Sequence, residues 1–178
     1  MATAVQVPLS EYLHTSYESD CEWIDGELRE RPVGEGSHAF IQTFFIKFFG
    51  SREEAWQIRV TQELRTQVSE SHFRVPDVLV LRSDSPFEEI VRTPPVLCIE
   101  ILSPGDRMVD MQDKIDDYIA MGVGAIWVVN PRSRKAFIVD RGALIPVKEL
   151  TAEGTQIRVS VDEIFSQLSA LEAKPNLD

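Results

Sequence analysis

Two acidic residues stand where acids are costly. Asp77 interrupts the apolar run VPDVLVL, and Glu100 lies between isoleucines in PVLCIEIL. A carboxylate withdrawn from water must be compensated by a cation, a metal or hydrogen-bond donors. In an extended strand Val96, Cys98, Glu100 and Leu102 share one side, and Leu97, Ile99 and Ile101 the other. The plain alternative for Glu100 is a structural ion pair with an arginine. For Asp77 it is a solvated turn, because Pro76 cannot donate to a sheet ladder. A metal site explains both acids together, since carboxylates from adjacent strands supply the hard oxygen ligands that Mg²⁺ requires. Lys114 is the third candidate. On a helix over 107–121, Met108, Met111, Ile115, Tyr118 and Ile119 form an apolar stripe. Lys114 falls at its edge, one turn before Tyr118. A lysine there can snorkel out of the core boundary. It can equally reach over the carboxylates, to orient a water or stabilise charge developing on a phosphate. Asp77, Glu100 and Lys114 together suit metal-assisted phosphodiester chemistry.

The elements that must position them follow from periodicity. VPLSEYLHT reads as a short helix entered from Pro8. CEWIDGELRERP reads as a hairpin turning at Asp25-Gly26. From Ser37, Phe40, Ile41, Phe44, Phe45, Phe48 and Phe49 recur at helical steps. Strands are predicted at 56–66, 73–82 and 94–102, then the helix 107–121 with Gly122 as its stop. Strands 125–130 and 135–140 come next, and the tail holds one weak strand and a short helix near 161–168. This order predicts an α/β protein of the α+β kind, a central mixed sheet flanked by helices. A single domain over 1–178, with its core at about 8–168, suits the length.

Composition narrows the function classes. An apolar fraction of 43% and a charged fraction of 26% are those of a globular protein. No apolar run approaches the ~20 residues that cross a bilayer, so no membrane partner is expected. MATAVQVPLSEYL lacks a basic start and a long apolar segment, so no secretory signal is expected either. Cys21 and Cys98 are not spaced as a metal site, and Cys98 reads as a small buried hydrophobe. The reducing cytoplasm is the default compartment. The net charge of −11 opposes an electrostatic grip on nucleic acid, and the basic cluster is confined to PRSRK, with Arg141 close by. No P-loop, GxGxxG, HExxH or Ser-His-Asp pattern stands out.

The pair PD at 76–77, followed by Glu100 at the end of an apolar strand, resembles the PD-(D/E)XK nuclease-like superfamily. More closely, the run EWIDGEL, SH, RVPDVLVL, PVLCIEILSP, DMQDKIDDY, MGVGAIWVVNP is similar to the bacterial Uma-two family of restriction-endonuclease-like proteins. The resemblance covers about residues 8–168. It implies a restriction-endonuclease-like core, Mg²⁺ or Mn²⁺ held by Asp77 and Glu100, and hydrolysis of nucleic acid, DNA rather than RNA. A homodimer would suit cleavage of both strands. One position departs from the superfamily pattern: Leu102 stands where a lysine is expected two residues after the glutamate. Lys114 of DMQDKIDDY fills the place that the Uma-two pattern gives to a helical lysine.

Accessory positions follow from the same resemblance. Glu27 could be a third acidic ligand, or a solvated hairpin residue. His38 could serve the site or pack in the core, and Ser103 could cap the helix at 107–121 or bond a ligand. Tyr118 is a further accessory candidate. Two other functions stay open beside the metal-dependent endonuclease: a nuclease-like fold without turnover that serves as a binding or regulatory module, and a metal-binding hydrolase of another phosphate ester.

Overall fold

The computed structural model describes residues 6–17, 20–32 and 34–173. The reading of residues 1–5 as lacking a secretory signal therefore falls outside the described residues. Pro8 leads into α1 (Leu9–His14), followed by β1 (Cys21–Ile24) and β2 (Glu27–Glu30). Asp25 and Gly26 take φ of 50° and 90°, and Ile24 pairs with Glu27 across them. That left-handed pair is what a two-residue hairpin demands, and the DG dipeptide supplies it. The phenylalanine-rich segment forms α2 (Gly36–Gly50), which turns Ile41, Phe44, Phe45 and Phe49 into the core. A short α3 (Glu53–Trp56) then feeds β3 (Ile58–Gln62).

Here the chain departs from its predicted strands. The expected strand 56–66 is cut at both ends, because Trp56 closes α3 and Glu63 takes a left-handed φ of 50°. Thr66 already belongs to β4 (Thr66–Gln67), in a different sheet. The expected strand 73–82 is likewise two strands, β5 (His72–Arg74) and β6 (Val78–Arg82). Pro76 explains the break: it has no N–H for a ladder, and the Val75 N–H goes to the Glu22 side chain instead. Across this break the chain leaves a four-stranded sheet, order β2-β1-β5-β4, for the main six-stranded sheet.

The main sheet is completed by β7 (Leu97–Ile101), β8 (Ala125–Asn130), β9 (Lys135–Asp140) and β10 (Ala143–Val147). Between β7 and β8 runs α4 (Met108–Met121), stopped by Gly122 at φ 90°, whose N–H meets the carbonyls of Tyr118 and Ile119. The strand order is β10-β9-β8-β7-β6-β3, with β7 and β8 parallel and the other pairs antiparallel. The expected mixed sheet flanked by helices is thus observed. The tail holds more than one weak strand and a short helix: beyond β10 come β11 (Glu149–Thr151), β12 (Arg158–Ser160) and a longer α5 (Val161–Glu172). Strands of three residues are too short to show an alternation in sequence.

Helices cover both faces. On one, Ile41, Phe45 and Phe49 pack with Val78, Val80, Leu97, Ile99, Ile101 and Trp127, joined by Ile164 and Leu168 of α5. On the other, Met111, Ile115 and Tyr118 of α4 meet Leu79, Cys98, Ile126 and Val128. The stripe of α4 is narrower than predicted, for Met108 and Ile119 are 56% and 46% exposed. Strand β7 thus divides its side chains by parity, with Cys98 on the α4 side and its neighbours Leu97 and Ile99 on the α2 side. Phe45 is fully buried, its ring centroid 6.2 Å from those of both Phe49 and Trp127. Phe45→Ala should cost about 3–5 kcal/mol of stability in a urea melt; a loss below ~1 kcal/mol would mean that α2 does not seat on the sheet as described.

Candidate active site

The crossing at Val75-Pro76-Asp77 decides where the first acid sits. Val78 pairs with Ile99 on an antiparallel neighbour, so Asp77, one residue before Val78, and Glu100, one residue after Ile99, lie on the same side of that rung. Asp77 is buried at the start of β6. Its Oδ2 accepts the Ile101 N–H at 2.7 Å and lies 3.3 Å from His38 Nε2. Its Oδ1 is ion-paired with the Arg31 guanidinium, which follows β2. Gln42 of α2 donates to the Asp77 carbonyl at 3.0 Å.

Glu100 points toward α4. The Tyr118 hydroxyl donates to its Oε1 at 2.5 Å, and Lys114 Nζ lies 3.2 Å from its Oε2. One helical turn separates the two donors, so a single face of α4 serves both oxygens. Lys114 Nζ also lies 3.0 Å from Oε1 of Glu22, a third buried acid carried by β1. The other Glu22 oxygen pairs with Arg74 Nη1 at 2.9 Å. Arg74 in turn reaches Asp117 of α4 at 2.6 Å, and Asp117 is 2.8 Å from His72 Nδ1. Both sheets and α4 therefore meet in one chain of alternating charge, and Asp77 with Arg31 and His38 of α2 forms a second cluster beside it.

Burial works against every charge here, and the neighbours decide the outcome. Burial alone would raise the Asp77 carboxyl, but the bond from His38, the Arg31 charge and the Ile101 N–H hold it below the usual aspartate value. Glu22 is likewise held low against burial by Lys114 and Arg74. Glu100 goes the other way. Burial raises it, Lys114 offsets this in part, and the negative charges of Asp77 and Glu22 add to the rise. The Lys114 ammonium is pushed above its ordinary value, since Glu100, Glu22 and Asp77 outweigh its own burial. It stays protonated at neutral pH and cannot serve as a base.

Five of the sequence candidates, Asp77, Glu100, Lys114, His38 and Tyr118, come together here. Glu27 does not. It lies half-buried on β2, and Gln6 Nε2 is 3.5 Å from its Oε1. Glu22, five positions earlier in the same EWIDGEL segment, occupies the third acidic position instead. Ser103 is not the cap of α4: the N-cap is Arg107, and the Ser103 N–H donates to Asp106 Oδ2 at 2.6 Å in a tight turn. Glu22, Arg31 and Arg74 escaped sequence reasoning. A glutamate within the wholly buried strand CEWI carried the same signal as Glu100, on a shorter segment.

A cleft of about 470 Å³ opens beside Asp77 and Glu100, lined by their partners Arg31 and Lys114, by Glu22 and Arg74, and by Arg29, Arg107, Asp106, Asp110 and Asp113. Among the described residues no group of three or more His, Cys, Asp or Glu side chains is ready-made for a metal ion. Mg²⁺ asks for less, since it commonly takes one or two carboxylates and completes its octahedron with water and substrate oxygens. Asp77 and Glu100 fit that pattern in ligand type. The raised Glu100 marks an excess of negative field that a divalent ion would relieve.

The fold is a six-stranded mixed sheet with helices on both faces. The same fold occurs in a crystal structure described as "a putative nuclease belonging to DUF820 from Anabaena variabilis ATCC 29413". The two agree with a TM-score of 0.78 at 22% identity, over 91% of this chain and 99% of that one. The "cryoEM structure DrdV-DNA complex" aligns at a TM-score of 0.41 and 15% identity, over 74% of this chain and 11% of that one, too remote to inform the site. No curated protein matches the chain. The family model of Uma2, described as "Putative restriction endonuclease", matches residues 9–170, and the chain belongs to that family.

The pairing pattern sets stability expectations. Asp77→Asn leaves Arg31 and His38 facing a neutral amide, and should cost about 3 kcal/mol in urea unfolding without added metal. Glu100→Gln should cost nothing or stabilise, because the fold already favours a neutral group there. The reverse ranking would mean that Glu100, not Asp77, is the structural ion-pair member. Lys114→Met strips a cation from two buried acids, so it should cost about 3–5 kcal/mol. Adding Glu22→Gln should recover about 1–3 kcal/mol of that; simple additivity would show that the two charges are not coupled.

Proposed function

We propose that the protein is a metal-dependent endonuclease acting on nucleic acid, with DNA as the preferred substrate. The observation that carries this reading is that Asp77 and Glu100 lie next to the same Val78–Ile99 rung, with the Lys114 ammonium on Glu100. Family membership supports the nuclease class. Asp77 and Glu100 would hold Mg²⁺ or Mn²⁺. A divalent ion bound there supplies Lewis-acid polarisation of a phosphate oxygen and lowers the pKa of a water.

The chain's own residues do the positioning. The Tyr118 hydroxyl and the Ile101 N–H fix the two carboxylates, each by a donor that carries no charge into the cleft. Lys114, held between Glu22 and Glu100, presents a permanent positive charge beside them. That charge orients the attacking water or stabilises the charge that builds on the phosphate. His38 restrains Asp77 from the opposite helix and keeps its free rotation small. A homodimer would set two such sites against two strands, and the cytoplasm is the compartment that suits such an enzyme.

A second reading rests on the cleft rim, where Asp106, Asp110 and Asp113 stand beside the arginines. Together with a net charge of −11, they oppose phosphate approach and favour a nuclease-like module without turnover. Cleavage of single-stranded, double-stranded and structured DNA and RNA with Mg²⁺ or Mn²⁺ at low salt separates the two. The endonuclease reading expects metal-dependent cleavage by the wild type. It expects a ~10²–10³-fold loss in the folded Glu22→Gln/Lys114→Met protein, the cost of one lost electrostatic stabiliser. No cleavage of any substrate by the wild type would favour the module.

A further inference from the structure

Of the oxygens on the two proposed ligands, Asp77 Oδ1 is held by a long, rotatable side chain with outer acids in reach. Its sister Oδ2 is fixed by a backbone N–H and by His38. On Glu100, Oε1 takes the Tyr118 hydroxyl and Oε2 faces Lys114, which is itself tied to Glu22. Oδ1 has the Arg31 guanidinium. Two further acids face the same guanidinium, Glu63 Oε1 at 3.6 Å and Asp20 Oδ2 at 3.9 Å from Nη1. The Arg31 backbone is anchored, for its N–H donates to the Asp20 carbonyl at 3.2 Å. The side chain can therefore turn from Asp77 to these outer acids without moving the strand, and it borders the open cleft.

A guanidinium and a divalent ion compete for one carboxylate oxygen, because both are cations that repel each other and are held by the same negative charge. We propose that Arg31 is a latch on this site: it closes Asp77 Oδ1 without metal and swings to Glu63 and Asp20 when an ion takes that oxygen. The inference rests on the metal-site reading above. The latch keeps Asp77 compensated at all times, first by Arg31 and then by the ion. It also taxes metal affinity by the fraction of molecules in which it is closed.

Calorimetric titration of Mn²⁺ into the substrate-free full chain tests this. Arg31→Met should bind Mn²⁺ about tenfold more tightly than the wild type, the release of that tax. Glu63→Gln should weaken binding in the wild type and leave it unchanged in the Arg31→Met background, since it removes only the outer berth. A general loss of negative field would weaken both alike, and would overturn the latch. Equal or weaker binding by Arg31→Met, with a wild type that binds, also overturns the latch and leaves the metal site standing. No binding by either protein removes the metal site and the latch with it. Should Arg31→Met fail to fold, the Arg31 Nε–Hε resonance of the wild type decides during a Mg²⁺ titration. The latch requires it to shift with the midpoint of binding, and a resonance unmoved at saturation overturns it.

Discussion

Carboxylates can be buried only if cations are buried with them, and this chain buries Glu22, Asp77 and Glu100 within one network. No single element could supply the compensation. Arg31 comes from the end of the hairpin, Arg74 from β5, His38 from α2 and Lys114 from α4. The chain passes between the main sheet and the four-stranded sheet at two short crossings, Glu63–Arg65 and Val75–Asp77, and these ion pairs add to what joins them. Breaking one cation from its acid costs more than an exposed pair is worth, because the abandoned charge stays in low dielectric. The arrangement is thus a requirement of the fold before it is a device of the site.

The same constraint gives the three acids different characters. Glu22 lies between two permanent cations and is held firmly ionised. Asp77 has an arginine, a histidine and a backbone N–H, and is ionised as well. Glu100 shares its lysine with Glu22 and receives its other bond from a neutral phenol, which leaves its charge least supported. A group so placed gains most from an added cation. The fold therefore leaves its least compensated buried acid at Glu100, next to Asp77 at the end of the β6–β7 ladder, which is the physical basis for proposing an ion there.

Much of this was legible in sequence wherever an acid interrupted a long apolar pattern. Glu100 sits in a strand whose five residues are all buried, and Lys114 on a helix long enough to show its stripe, so both could be placed by periodicity. Pro76-Asp77 revealed an irregularity but not its consequence, since a sheet change and a turn look alike in one sequence. Glu22 was hidden because a four-residue strand is too short to display alternation, and Glu27 beside the turn drew the ligand role on motif alone. Arg31 and Arg74 could not be read at all. An arginine's reach lets it serve a distant acid, and nothing local distinguishes it from a solvated one. His38 illustrates the reverse: its place on an apolar helix face suggested packing, yet that face ends above Asp77.

The balance inside the site also locates the protein's surplus charge. Around the core of the network, Glu22, Asp77, Glu100 and Asp117 are answered by Arg31, Arg74, Lys114 and the two histidines His38 and His72. The interior is near neutral, so the net charge of −11 must reside on the outer surface. Exposed charges are screened beyond about 10 Å at 0.1 M salt, whereas those within the cleft are screened far less. A polyanion would then meet general repulsion at long range and a compensated, cation-bearing floor at short range. Association under that profile is slow and depends on close contacts rather than on steering. Of the rim arginines, Arg107 is itself engaged by Asp110 at 2.7 Å, so a phosphate would compete with an existing partner to recruit it. Selectivity in such a cleft comes from the fit of a substrate to its walls, because charge alone draws nothing in.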